Sequence, residues 1–239
     1  MSQSLSNIVG QNGKPLQAAL QVDVIADLVC PWCFLGKRRL DDALLAVHGP
    51  SEVTWYPFQL NPAMPTAGMA FEEYLASKFG DPEKLRPAME QLTTEGKAEG
   101  IDFRFDKLAR VPNTLDAHRL MKLAETERLN TSDLAEEFLS SFFEAGLDIG
   151  DRDVLTELAM RHGLEARDID KTLDDDLTRR TVLSQEAQVR QGGVTGVPDF
   201  LVNKRLFVMG AQSTEALVKA FDQAIFGDLS DRPVSATIH

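Results

Sequence analysis

The chain has 239 residues, 43% of them hydrophobic, and its 25 Lys and Arg against 37 Asp and Glu leave a net charge of −12. That is enough for one sizeable core, or one core carrying an inserted subdomain. The acidic balance argues against nucleic acid and anionic membrane as partners, and no apolar run nears the ~20 residues of a bilayer-spanning helix.

Met1 to Pro15 is polar and has no charged start leading into an apolar stretch, so no secretory leader is read there and the expected location is the cytoplasm. Residues 1–20 read as a flexible leader, broken by Gly10, Gly13 and Pro15. From Gln21 the character changes. Val22, Val24, Ala26 and Leu28 alternate with Asp23, Ile25 and Asp27, which predicts a strand. Cys30-Pro31-Trp32-Cys33 follows at once. Gly36, Leu40, Ala43, Leu44 and Val47 then recur at helical spacing, with Lys37, Arg38, Arg39, Asp41 and Asp42 opposite. Gly49-Pro50 stops that helix. Glu52 to Phe58 predicts a second strand.

Asn61 to Gly68 is a Pro-rich loop. From Phe71 to about Gln191 the pattern is helical. The predicted helices are Phe71–Phe79, Glu83–Glu99, Thr114–Arg128, Asp133–Ala145, Arg152–His162 and Leu177–Gln191. Asn113 or Thr114 would cap the third, and Thr131 or Ser132 the fourth. Asp174-Asp175-Asp176 reads as a solvated helix end or loop. Phe200 to Val202 and Leu206 to Met209 predict a hairpin, and a closing helix follows, capped by Ser213. The expected plan is an α/β domain of residues 21–61 and 192–227, a helical insertion of residues 62–191, and a flexible tail of residues 228–239.

The chain's only two cysteines, Cys30 and Cys33, do not make a disulfide framework. A C-x-x-C between a strand and a helix suits redox chemistry. The thiolate is the nucleophile, and a helix N-terminus favours it through unpaired amides and the positive dipole end. Pro31 fits the first helical position, where its missing N–H costs nothing. Cys30 would be the exposed nucleophile and Cys33 the buried resolving thiol. Zinc is the competing use of C-x-x-C. It wants four ligands, and no second cysteine pair exists; His48, His118, His162 and His239 show no paired spacing, so no metal is expected. Asp27 either shuttles a proton for Cys33 or ties the loop backbone as an Asx-turn. Lys37, Arg38 and Arg39 either add positive potential near Cys30 or form a solvated face; screening favours the latter. Pro198, at the start of a strand, can take the cis form at modest cost.

Several segments carry a family likeness. Asp27 to Gly36, reading DLVCPWCFLG, resembles the active-site segment of the DsbA-like oxidoreductases of the FrnE type. Pro57-Phe58-Gln59-Leu60-Asn61-Pro62, Val111-Pro112-Asn113-Thr114 with Ala117-His118-Arg119-Leu120, Thr195-Gly196-Val197-Pro198 and Gly210-Ala211-Gln212 resemble later landmarks, in order. The resemblance implies a thioredoxin-like domain with a large all-helical insertion over the active site. It implies that cis-Pro198 faces the cysteines, that the Val197 backbone pairs with substrate alongside Pro31 and Trp32, and that Asn61, Asn113 and His118 lie toward the cleft. The superfamily also holds kappa-class glutathione transferases and 2-hydroxychromene-2-carboxylate isomerases, which typically have serine where Cys30 stands.

The expected function is thiol–disulfide exchange with protein or small-molecule thiols and disulfides. It would need no cofactor, with glutathione as a redox partner at most, and would act as a monomer or homodimer. The alternatives are a glutathione-dependent isomerase or transferase of a small molecule, and a non-enzymatic binder or chaperone.

Overall fold

The computed structural model describes residues 20–47 and 49–227. The expected tail, and the expected leader apart from Leu20, lie outside the described residues, as do His48 and His239.

The strand β1 (Leu20–Ala26) is central and almost wholly buried. Its alternating Val side chains face one core and Ile25 the other. Helix α1 (Pro31–Leu45) follows after a tight turn, and β2 (Ser51–Pro57) returns parallel to β1. On its other side β1 meets β5 (Asp199–Val202), antiparallel, and β5 pairs with β6 (Leu206–Met209) as a hairpin. The order is therefore β2-β1-β5-β6. The hairpin closes through three residues, Asn203, Lys204 and Arg205; the Arg205 amide donates to the Val202 carbonyl at 3.0 Å, and Asn203 and Lys204 both take positive φ (49° and 56°). Helix α9 (Thr214–Phe226), capped by Ser213 as expected, packs on α1 and the sheet.

Between β2 and β5 lie α2 (Phe71–Phe79), α3 (Arg86–Ala98), α4 (Leu115–Thr126), α5 (Thr131–Ser140), α6 (Arg152–Arg161), α7 (Ala166–Asp174) and α8 (Asp176–Gln191). A two-residue ladder joins β3 (Met69–Ala70) to β4 (Arg110–Val111). The α/β plan with a large helical insertion is thus present.

Details differ from the sequence reading. Helix α7 was not foreseen; it is short and acid-rich, and it turns only Ile169, Thr172 and Leu173 inward. The fourth predicted helix is capped by Asn130, whose side chain accepts from the amides of Ser132 and Asp133, rather than by Thr131 or Ser132. It closes in one wide π turn, Ser141–Ala145, ended by Gly146 at φ 74°. A Cβ on Gly146 would meet Lys107 at 2.7 Å, so the turn needs glycine on both counts. Asp175 of the acidic run is the cap of α8.

Helix α1 is shared between two cores. Leu40, Ala43, Cys30 and Cys33 join the β1/β5/α9 core with Phe200 and Phe221. Phe34 and Leu35 join the insertion core. Phe34 stands edge-on to Phe103 at 5.8 Å and stacked with Phe143 at 6.2 Å. Burying such a ring contributes about 1.5–3 kcal/mol, so the residue after Cys33 anchors the insertion to the sheet.

Candidate active site

Cys30 occupies the N-cap of α1 with extended backbone (φ −95°, ψ 114°), and Pro31 fills the first helical position. The Cys30 amide donates to the Asp27 carbonyl at 3.1 Å, and the amides of Cys33 and Phe34 donate to the Cys30 carbonyl at 3.0 and 3.2 Å. This turn ties the loop to the first turn of the helix. Both cysteines are free thiols; Cys33 is buried as expected, whereas Cys30, read from the sequence as exposed, is also buried, at 2% exposure.

The Val197–Pro198 peptide is cis. The Cys30 thiol points at the Val197 carbonyl oxygen, 3.6 Å away. Pro198 packs close to α1: a Cβ on Gly36 would meet the Pro198 ring at 2.9 Å and Phe200 at 3.3 Å. Glycine at 36 is what lets the helix approach the Pro198 loop. The Pro198 carbonyl accepts from the Gly210 amide at 2.8 Å, which fixes the far side of the loop.

Burial pushes the Cys33 thiol well above its ordinary range. The neighbouring Cys30 and the Asp27 charge push the same way, and a main-chain hydrogen bond from Asp27 opposes them. Cys33 is therefore a protonated, sequestered thiol at neutral pH.

Cys30 opens on a cavity of about 450 Å³ between the redox turn and the insertion, a size that holds a small molecule or a peptide side chain. Val29, Pro31, Trp32 and Val197 form its floor, and Phe71, Tyr74, Leu92, Phe105, Phe142 and Phe143 are among the walls supplied by the insertion. Among the described residues, Lys78 is the one charged residue lining it. The insertion residues that wall the cavity were not foreseen from the sequence.

The remaining expected residues separate. Asn61 does not itself line the cavity; its side chain donates to the hydroxyl of Tyr74 at 3.2 Å and accepts from Lys78 at 2.8 Å, two residues that do. Asn113 does not line the cavity. Its amide group binds the Met64 carbonyl at 2.7 Å and the Leu115 amide at 2.9 Å, holding a loop and the start of α4. His118 does not line it either. It lies behind the redox turn, with Nε2 3.6 Å from Asp27 Oδ1.

The cations of α1 do not form a solvated face. Lys37 is 4% exposed and pairs with Asp41 at 2.6 Å and Glu136 at 2.9 Å. Arg38 also pairs with Glu136, and Arg39 bridges Glu95 and Glu99 at 2.7 and 2.8 Å. Carboxylates of α3 and α5, with Glu99 just after α3, thus compensate all three. Among the described residues, no group of three or more His, Cys, Asp or Glu could hold a metal ion. No helix there is long and apolar enough to cross a membrane.

The family model described as the DSBA-like thioredoxin domain matches residues 21–222. The chain belongs to that family. It is 27% identical over 205 residues to the uncharacterised protein YwbO of Bacillus subtilis (strain 168), a match covering 84% of this chain and 95% of YwbO. Its fold is similar to that of a probable DsbA oxidoreductase, SCO1869 of Streptomyces coelicolor: TM-score 0.78, 29% identity, 91% of this chain and 94% of that one covered. A 2-hydroxychromene-2-carboxylate isomerase shares the fold at 13% identity, with TM-score 0.68 over 85% of this chain and 95% of its own. The thioredoxin-like DsbA fold expected from the sequence is therefore present, and the family is one of thiol oxidoreductases.

Proposed function

We propose that this DsbA-family chain exchanges disulfides through Cys30 and Cys33. The observation that carries the reading is the pairing of an N-cap thiol at the mouth of an apolar cavity with a second, buried thiol one turn behind it. The Cys30 sulfur attacks a substrate disulfide, and one substrate thiolate leaves. The resulting mixed disulfide is attacked by Cys33, a second thiolate leaves, and the pair ends oxidised, having passed two electrons to substrate. The reverse sequence oxidises a dithiol. Pro31, Trp32 and the Val197 backbone hold the substrate, and Asn61 orders the rim through Tyr74 and Lys78. No cofactor is needed. Glutathione serves as a redox partner, other thiols and disulfides of proteins or small molecules are the substrates, and a reducing compartment such as the cytoplasm is the setting that suits a free dithiol.

The test is a redox titration of the pair against glutathione buffers, counting free thiols. A reversible two-electron transition is expected, and its position gives the direction of electron flow. Failure to form the intramolecular disulfide at any poise overturns the reading. The apolar cavity beside Cys30 and the isomerase fold likeness favour glutathione-dependent small-molecule chemistry as the second reading. Turnover that requires glutathione and survives Cys33→Ser would establish it.

A further inference from the structure

The redox turn supplies the sulfur, but the insertion builds most of the cavity in front of it. Helix α2 presents Phe71, Tyr74, Leu75, Lys78 and Phe79 to that cavity, the i, i+3, i+4, i+7, i+8 stripe of an amphipathic helix. A short helix gains most of its stability by packing such a stripe on a core. Here no residue of α2 is buried, and Phe79 is 43% exposed. The apolar face of α2 borders about 450 Å³ of space that Cys30, Trp32 and Val197 border too. The volume lies in the range of sites for small organic ligands. Phe105, Phe142 and Phe143 add to its aromatic lining, which favours a flat, apolar body.

Lys78 breaks the stripe with a charge. Its ammonium donates to the Asn61 side-chain oxygen at 2.8 Å, a neutral partner, and stands 5.3 Å from the Tyr74 ring centre. Asn61 in turn donates to the Tyr74 hydroxyl at 3.2 Å, so the three side chains brace one another. Among the described residues no carboxylate pairs with Lys78, although the chain carries 37 Asp and Glu against 25 Lys and Arg. The three cations of α1, by contrast, are all matched by carboxylates. Glu72 and Glu73, in the first turn of α2, fall off the stripe and are not part of the cavity lining. The cavity thus combines a reactive sulfur, an aromatic wall and one positioned, unmatched positive charge.

We infer that Lys78 is a specificity-determining residue that recognises a carboxylate, and that the substrate class of this site is the disulfide of a small aryl thiol bearing that carboxylate. The inference rests on the disulfide-exchange reading and deepens it. The aromatic body covers the face of α2 that the fold leaves unburied, the carboxylate meets the ammonium, and the disulfide reaches Cys30. The chemistry balances as before: the Cys30 sulfur bonds to one substrate sulfur as the substrate S–S bond breaks, and Cys33 then displaces the second aryl thiolate. The two cysteines lose two electrons and two protons, and the substrate disulfide becomes two thiols. Lys78 touches neither sulfur; its part is to select and hold.

The experiment uses the full-length, fully reduced protein and two disulfides of matched shape, 5,5′-dithiobis(2-nitrobenzoate) and its diamide, in which both carboxylates are neutral. Each releases one coloured thiolate on attack by Cys30 and a second on resolution by Cys33. The readout is the ratio of first-phase rate constants, carboxylate over diamide. Lys78→Gln should lower that ratio roughly fivefold, the effect of one partly exposed ion pair. Lys78→Glu should lower it further, and Lys78→Arg should keep it within about twofold of wild type. Added salt should shrink the ratio in wild type and leave it unchanged in Lys78→Gln. A ratio unaltered by Lys78→Gln, equal slowing of both disulfides included, overturns the assignment of Lys78. Glutathione disulfide, with carboxylates on a polar body, should respond to Lys78→Gln by less than about twofold; a loss equal to that of the aryl carboxylate overturns the aromatic half of the substrate class. Release of only one thiolate by wild type instead removes the disulfide-exchange reading, while the ratio still reports on Lys78.

Discussion

The thiol of Cys30 and the carbonyl oxygen of Val197 face each other at 3.6 Å, although a whole helical insertion separates them in the chain. The contact places the Cys30 sulfur against the main chain of the residue before cis-Pro198.

Asymmetry between the two sulfurs gives the first expectation. Cys33 is held protonated by burial, whereas Cys30 opens on the cavity. Cys30→Ser should abolish turnover. Cys33→Ser should leave the first attack intact and accumulate mixed disulfides, seen as a mass increase equal to the substrate thiol and removed by dithiothreitol. Equal residual activity in both variants contradicts these roles.

Gly36 gives the second. A methyl group there meets Pro198 at 2.9 Å and Phe200 at 3.3 Å. Gly36→Ala should cost about 1–3 kcal/mol by overpacking and lower kcat/KM by moving the Val197 carbonyl off Cys30. Urea denaturation and turnover of one model disulfide measure both. An unchanged stability would show that the loop yields freely.

The insertion is stapled to α1 by Glu136, which faces both Lys37 and Arg38. Glu136→Gln leaves Lys37 with Asp41 and strips the carboxylate from Arg38. A loss of about 1–3 kcal/mol is expected, since removing one partner strands buried charge, with exposure at Glu136 moderating it. The midpoint of denaturation should fall while the redox potential of the cysteine pair stays put. A shifted potential would assign these cations an electrostatic role at the active site.

Asp199, next to Pro198, carries a pH signature. Burial raises its carboxyl from 3.8 to about 6, against the opposing hydrogen bond from the Gly210 amide. The folded state thus binds this proton more tightly than the unfolded chain does. Its stabilising contribution is complete below the unfolded value and is lost as pH rises through the folded one. At neutral pH the buried charge destabilises by on the order of 2 kcal/mol. Asp199→Asn keeps an acceptor for Gly210, so its Tm should exceed that of wild type near neutral pH and converge with it near about pH 4. A difference independent of pH would mean that something other than ionisation is at work.

Much of the redox half was legible because its signals are local. Alternation marked β1, Pro31 after Cys30 marked the start of α1, and Asn203-Lys204 between two apolar runs marked the hairpin. What escaped depends on partners distant in the chain. Nothing near Lys37, Arg38 and Arg39 announces Glu95, Glu99 and Glu136, so a buried ion network read as a solvated face. His118, grouped with cleft residues by resemblance, turns its ring to Asp27 instead, a choice made by how α4 packs behind the redox turn. Asn130 outcompeted Thr131 and Ser132 as a cap because its side chain reaches two amides at once.

The order β2-β1-β5-β6 has a consequence for the chain as it is made. β1, α1 and β2 leave the ribosome early and can form a parallel unit. The open edge of β1, and the sulfur of Cys30, receive their partner only when residues 197–202 emerge. Until then the nascent protein displays a bare strand edge and an uncovered thiol. Translation of the entire helical segment is therefore a window in which this chain is most open to mispairing, and it closes in one late event, the docking of the Val197–Val202 segment.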